Sequence, residues 1–265
     1  MTDIKCEVLV VVPTKNSSRT LMKCLQSIKN QSIECKLIVV DNFSTDGTQE
    51  IAKKYADVFI ESGPERSAQR NLGAQMSTEN IVGFIDSDMY LEKDVLFDVV
   101  ELTEKDYVSV VIPEKTIGVG YWAKVSAYER SFYNSDDSIE APRFFIRKVF
   151  EESGGWDEDM TGAEDWDLAN RSLNFGARGR TKSQIIHDEG KVRFFEICKK
   201  KSYYAKGLKL YLSKYPGVSK LILTRGWLRP KNLFTLYGLS VLALKIAQAL
   251  SMLFGLLWNK SRDQN

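Results

Sequence analysis

The stretch Ile81-Val82-Gly83-Phe84-Ile85-Asp86-Ser87-Asp88 decides the fold: a short apolar run opens directly onto two carboxylates one residue apart. A continuous apolar run bounded in this way suits a strand buried on both faces. The same pattern stands upstream. Glu7 to Val12 leads into Pro13-Thr14-Lys15-Asn16, and Lys36 to Val40 leads into Asp41-Asn42. Helical spacing fills the intervals, with Leu21, Leu25 and Ile28 inside 18–30, then 45–55, 67–76 and 94–102. Shorter strands are expected over 57–60 and 107–112. Strand alternating with helix predicts an α/β, Rossmann-like, doubly wound and mostly parallel sheet. Ligands collect beyond the carboxyl ends of such strands. Three polar loops far apart in sequence are therefore expected at one crevice.

The second half is less regular. Helices are expected over 121–133, 163–175 and 194–215, strands over 144–146 and 181–187, and a turn at Gly154-Gly155-Trp156. The expected organisation is one domain over 1–215, with halves of about 1–115 and about 116–215, and a C-terminal helical extension over 216–265 that associates with a membrane or another copy. Lys and Arg number 37 against 35 Asp and Glu, so overall charge gives no reason to expect nucleic acid as a partner. Cys6, Cys24, Cys35 and Cys198 form no CxxC pair and read as thiols in a reducing compartment. No signal peptide is read at the N-terminus, which places the expected protein in the cytoplasm, at the cytoplasmic face of the cell membrane.

Two carboxylates at the open end of a buried strand repel each other unless a cation sits between them. Mg2+ or Mn2+ prefers oxygen ligands and leaves room for phosphate oxygens, so Asp86 and Asp88 are candidate metal ligands. His187, the only histidine, ends an expected strand and is a third candidate. Asp41 has the geometry to read a base N–H, or else to cap the following helix, where Asp46 also suits the positive end. Arg66 and Arg70, four apart, are candidates for the nucleotide or its phosphates. Glu164 and Asp165 open a helix, and Asp165 is the candidate general base. Asp167 and Arg171 are expected to form an exposed i,i+4 pair. Arg130, Arg143, Trp156, Lys201 and Tyr204 are candidate contacts to an acceptor or its phosphate.

Taken together, these residues resemble family 2 glycosyltransferases. Val10 to Asn16 resembles the family's opening strand and loop, and Val39 to Thr48 resembles its second strand, base-binding Asp and turn. Arg70 to Ala74, Phe84 to Asp88, Gly154 to Asp157 and Gly162 to Leu168 are similar to the helix before the DxD strand, the DxD motif, the acceptor loop and the ED motif. The resemblance implies a GT-A fold and inverting transfer from a nucleotide diphosphate-sugar with Mg2+ or Mn2+. It implies donor contacts from Pro13, Thr14, Asn16, Asp41, Asn42, Arg66, Arg70, Asp86 and Ser87. Lys15 departs from the pattern, since many members carry an aromatic residue there. An inactive scaffold of the same fold is the alternative. A nucleotidyltransferase lacks support in the first loop, and an oxidoreductase would need GxGxxG.

Leu233 to Trp258 is long and apolar, reaching roughly 39 Å as a helix, with a narrow polar stripe at Tyr237, Lys245, Gln248, Ser251 and Gly255. Arg225, Arg229 and Lys231 stand close by, so a membrane surface contacted through 225–258 is the expected partner. A helix lying on the membrane, one that spans it, and one packed on a partner chain (including a second copy) remain open. Family members with a membrane-bound C-terminal part commonly act on lipid-linked acceptors. The resemblance thus implies a glycan or polyprenyl-phosphate-linked acceptor.

Overall fold

The computed structural model describes residues 7–137, 139–218 and 234–262. Cys6, Arg225, Arg229, Lys231 and Leu233, which entered the sequence reading, lie outside them. The chain divides into two compact units. The first comprises Met1–Lys115, Glu140–Glu158 and Leu168–Asp188; the second comprises Thr116–Ile139, Asp159–Asp167 and Glu189–Asn265.

The first unit is built on β1 (Val8–Thr14), β2 (Cys35–Asp41), β3 (Val58–Glu61), β4 (Ile81–Phe84), β6 (Ser109–Val111), β8 (Phe144–Ile146) and β9 (Arg178–Arg180). These make a seven-stranded sheet in the order β3-β2-β1-β4-β8-β6-β9. β1 pairs in parallel with β2 and with β4, β2 with β3, and β6 with β9, while β8 runs antiparallel between β4 and β6. The mostly parallel α/β architecture matches the sequence reading. Every residue of β1 is buried because both faces of the sheet are covered. Val8, Val10 and Val12 join Leu21, Leu25 and Ile28 of α1 (Leu21–Lys29) on one face. Leu9 and Val11 join Phe84, Phe145 and Trp156 on the other. That double burial explains why the strands read as continuous apolar runs rather than alternating ones.

Helices α2 (Thr48–Tyr55), α3 (Arg66–Gln75), α4 (Val95–Glu104) and α6 (Arg147–Glu152) complete this unit. α7 (Glu164–Ser172) begins in the second unit and ends in the first. A smaller sheet has the order β5-β10-β7, from β5 (Met89–Leu91), β10 (Ile185–Lys191) and β7 (Glu114–Val119). The second unit otherwise contains α5 (Tyr121–Arg130), α8 (Phe194–Lys214) and α9 (Leu236–Arg262), which share a core of Val125, Val241 and Leu244.

Two expectations are corrected. The strand expected over 181–187 begins only at Ile185, in β10; residues 181–184 form the bend that follows β9, a strand the sequence reading did not include. β9 is the polar triplet Arg178-Gly179-Arg180, which carries no apolar pattern to read. The Asp167 and Arg171 side chains, expected to lie exposed, do not. Asp167 is fully buried and bound to Lys214 Nζ at 2.7 Å and Tyr215 Oη at 3.0 Å, and Arg171 donates to the Ser153 and Gly155 carbonyls.

Gly83 lies where β4 passes beneath Phe144, and an added Cβ would come within 2.1 Å of that ring. Gly83→Ala is expected to lower unfolding free energy by about 1–3 kcal/mol through overpacking. Urea denaturation checks this, and an unchanged midpoint would contradict it.

Candidate active site

Register places the site. Thr14 is level with Asp41 across the β1–β2 ladder, and Phe84 pairs with Val11 across β1–β4. The loops that follow are tied to one another. Asn16 N–H donates to Ser44 Oγ at 2.7 Å and Ser17 N–H to Thr48 Oγ1 at 2.7 Å. Ser87 Oγ donates to Ser17 Oγ at 2.8 Å. Asp46 joins in: it accepts from Thr48 Oγ1 at 2.5 Å and from Ser18 Oγ at 2.9 Å. The Thr48 hydroxyl is the main cause that pulls its carboxyl down to about 2. Asn16 and Phe43 both sit at left-handed φ, 49° and 50°, where residues with a side chain are uncommon. Tight loop geometry of this kind clusters at ligand sites.

Asp41 is fully buried and its oxygens accept from Ser44 N, Ser44 Oγ and Gln49 Nε2. In the structure it organises its own loop, while α2 begins after Gly47 with no side-chain cap. Asn42 is held by Lys15 Nζ at 3.3 Å and by the Pro64 carbonyl, to which it donates at 2.6 Å. The Pro13 and Thr14 end of β1 is also locked, since the Thr14 carbonyl accepts from Asn42 N–H and from Gln69 Nε2.

The DxD carboxylates have different surroundings. Asp86 Oδ1 pairs with Arg70 NH2 at 2.5 Å, and Oδ2 lies 3.4 Å from Arg143 NH1. Burial alone would raise the Asp86 pKa, but Arg70, Arg143 and Arg66 together hold it well below the usual carboxylate range. Arg70 is 4% exposed and its guanidinium stacks 4.4 Å from the Trp156 ring. Arg70 pairs with Asp86, and Arg143 bridges Asp86 and Glu114 Oε2, the latter at 3.3 Å. One expectation changes here. Trp156 is 5% exposed, edge-on to Phe84 and gripped through its backbone by Asn71, so it forms core and not an acceptor contact.

Asp88 stands differently. Its Oδ2 lies 3.2 Å from His187 Nε2, and His187 Nδ1 lies 2.8 Å from Glu114 Oε1. The His187 neighbourhood is fixed by main chain: Asp188 N–H donates to the Asp88 carbonyl at 2.8 Å, and His187 pairs with Met89 across β5–β10. Arg19 clamps Asp188, and a cleft beside Asp88 is lined by Arg19, Lys23 and Tyr90. Glu114, Arg19 and Lys23 were not singled out from sequence. Glu114 follows Pro113 at the start of a strand with no clean alternation, and nothing local marks it.

A divalent cation fits this pair. Two ligands about 2.1 Å from one octahedral ion and at right angles lie about 3 Å apart, close to the Asp88–His187 separation. A Glu114 carboxylate on Nδ1 is the usual support that turns the Nε2 lone pair outward. Among the described residues no group of three His, Cys, Asp or Glu converges to hold a metal by itself. The protein would thus supply two ligands and leave the remaining positions to substrate oxygens and water.

In the second unit, Gly162 and Ala163 take left-handed φ of 80° and 71° just before α7. Glu164 is 4% exposed, and Asp165 Oδ1 accepts from Trp166 N–H at 2.8 Å. α8 presses on this turn: a Cβ on Gly207 would meet the Thr161 carbonyl at 1.9 Å, and one on Gly162 would meet Tyr204 at 2.7 Å. Tyr204 thus holds the ED turn in place, and Lys201 is exposed on α8. Arg130 is bound to Glu189 at 2.6 Å and to Thr116.

The model for Glycosyl transferase family 2 matches residues 9–157, more than half of the chain, and the chain belongs to that family. The match ends before Glu164. The chain is 32% identical over 134 residues to glycosyltransferase GlyA of Streptococcus pneumoniae, covering 48% of this chain and 18% of that protein. It spans between 18% and 30% of the length of the first curated relatives it matches. Among solved structures, a mannosyltransferase from Pyrobaculum calidifontis in complex with GDP-Man and Mn2+ superposes with TM-score 0.61 at 20% identity, over 95% of this chain and 80% of that one. Staphylococcus aureus TarS 1–349 in complex with UDP-GlcNAc gives 0.57 at 18%, over 85% and 77%. Both likenesses show a shared GT-A-type fold.

Arg70→Met is expected to destabilise the protein by about 3 kcal/mol at pH 7, because it strands the Asp86 charge. A depressed carboxyl contributes stability above the unfolded pKa of about 4 and loses it as pH falls below. Without Arg70, Asp86 takes up its proton more readily, so the deficit should shrink from pH 7 to pH 4. Urea titrations at both values check this; a deficit that grows on acidification would contradict the pairing.

Proposed function

We propose that the chain is the catalytic domain of an inverting glycosyltransferase, moving a sugar from a UDP- or GDP-sugar to a hydroxyl or phosphate oxygen of a glycan or polyprenyl-phosphate-linked acceptor. The observation that carries this reading is the His187 imidazole held between Asp88 and Glu114, within a family 2 chain. The donor class is supported by the fold relatives solved with UDP-GlcNAc and with GDP-Man and Mn2+.

Asp88 and neutral His187 Nε2 would hold Mg2+ or Mn2+, which would supply charge neutralisation to the diphosphate as the sugar–phosphate bond breaks. Glu114 keeps the His187 proton on Nδ1 and the ring in register. Arg19 and Lys23, lining the cleft beside Asp88, offer positive charge to phosphate oxygens. Asp86 does not reach for the cation; fixed by Arg70 and Arg143, it presents a set edge to the ribose. Ser87, through Ser17, holds the first loop against the DxD turn. Asn16, Asp41 and Asn42 shape the nucleoside loops. Asp165 takes the proton from an acceptor hydroxyl as its oxygen bonds to the anomeric carbon and the nucleotide diphosphate leaves from the opposite face. Glu164, buried beside it in sequence, steadies that turn. The reaction is read as occurring at the cytoplasmic face of a membrane, where a lipid-linked acceptor is presented.

A phosphate acceptor is already ionised and needs no base. Asp165→Asn is therefore expected to reduce transfer to a hydroxyl acceptor by roughly 10²–10⁴-fold, yet to leave metal-dependent stabilisation by UDP or GDP unchanged. Thermal shift with each nucleotide, with and without Mn2+, followed by donor-consumption assays, separates the two effects. No nucleotide-dependent shift and no donor consumption would instead favour the inactive scaffold.

A further inference from the structure

Charge is distributed very unevenly along the chain. Residues 189–265 carry 15 Lys and Arg against 3 Asp and Glu, whereas residues 1–188 carry 22 against 32. Within the basic segment, Lys191, Arg193, Lys199, Lys200, Lys206 and Lys209 are all exposed. The near-neutral total hides this concentration.

α9 adds a second feature. Its polar stripe faces inward. Lys245 pairs with Glu129 of α5, and Ser251 Oγ donates to the Cys198 carbonyl of α8 at 2.8 Å. Gln248 is 5% exposed, and a Cβ on Gly255 would come within 2.4 Å of Ser202 Oγ, so α8 and α9 touch closely. The outward face carries Leu236, Leu239, Ala243, Ile246, Leu250 and Leu253, all exposed and repeating at steps of three and four. At about 1.5 Å per residue this stripe runs about 26 Å. Phe254 at 65% exposure widens it, and Phe195 of α8 is 81% exposed. Leu236–Leu256 is long and apolar enough to cross a membrane by length and composition. Crossing would strip Lys245 and Ser251 of the partners they have and turn the buried Gln248 toward lipid.

We propose that α9 lies in the plane of an anionic lipid bilayer, its leucine stripe among the outer acyl chains and its polar stripe still packed on α5 and α8. Such helices immerse an apolar face to a depth of about 5–10 Å while cationic neighbours meet the headgroups. A second copy of this chain is the rival occupant, because steps of three and four also suit a helical seam. Paired helices of that kind draw specificity from charged residues flanking the seam. Here the one charge between Leu236 and Leu256 is Lys245, which is turned inward, and two strongly basic segments would repel each other. This deepens the membrane-side reading above and stands on the second unit alone.

The test is flotation of the purified full chain with vesicles of phosphatidylcholine, alone or mixed equally with phosphatidylglycerol. Co-flotation is expected to be about tenfold stronger on the anionic vesicles, to fall in high salt, and to be released by alkaline carbonate. The triple variant Ile246→Gln, Leu250→Gln, Leu253→Gln changes solvent-facing positions only. It should keep its circular dichroism and melting temperature while losing about tenfold in flotation. Lys199→Gln with Lys200→Gln should weaken flotation selectively on the anionic vesicles. Absence of flotation, retention after carbonate, or a wild-type dimer that the triple variant converts to monomer would each overturn the proposal. Nucleotide-dependent thermal shift, measured on the same samples, reports the donor site separately, so failure here leaves that reading standing.

Discussion

Parallel pairing of β1 with β2 on one side and β4 on the other is the constraint from which the site follows. Parallel strands in register end at the same edge, so the loops after Thr14, Asp41 and Phe84 have nowhere else to gather. Side chains then tie those loops together, Asn16 and Thr45 to Ser44 and Asn16, and Ser87 to Ser17. Both faces of the three strands are buried, which fixes the edge and leaves the loops to carry polar chemistry.

At that edge two carboxylates one residue apart have been given different partners. Asp86 is neutralised by Arg70 and Arg143, and the Arg70 guanidinium is sandwiched against Trp156. Asp88 is left to meet His187, whose far nitrogen is secured by Glu114. The unequal treatment leaves Asp86 paired with arginine and Asp88 beside an imidazole. In the second unit, burial of Asp167 against Lys214 and Tyr215, and the close approach at Gly207, anchor the turn that bears Glu164 and Asp165.

The buried strands and amphipathic helices were legible because their patterns are local: Val8 to Val12 is apolar throughout, and Leu21, Leu25 and Ile28 repeat at helical spacing. β9 was not, because Arg178-Gly179-Arg180 is a strand only through its pairing with β6. Among site residues, Asp88 and His187 could be named from the ends of strands, but their partner Glu114 could not, since residues 73 apart meet through β10 and β7. Trp156 misled for a related reason. A tryptophan after two glycines looks available in sequence, and only packing shows it buried against the Arg70 guanidinium. Gly154 and Gly155, by contrast, announced their turn and occupy left-handed φ of 82° and 65°.

The most direct measurement is the electron paramagnetic resonance signal of free Mn2+ titrated with the full chain in the presence and absence of UDP and GDP. Nucleotide-dependent loss of the free-ion signal, one ion per chain, abolished by Asp88→Ala and weakened by His187→Ala, is the expected result. A free-ion signal that no nucleotide diminishes, or one lost equally in Asp88→Ala, would contradict a cation held by Asp88 and His187.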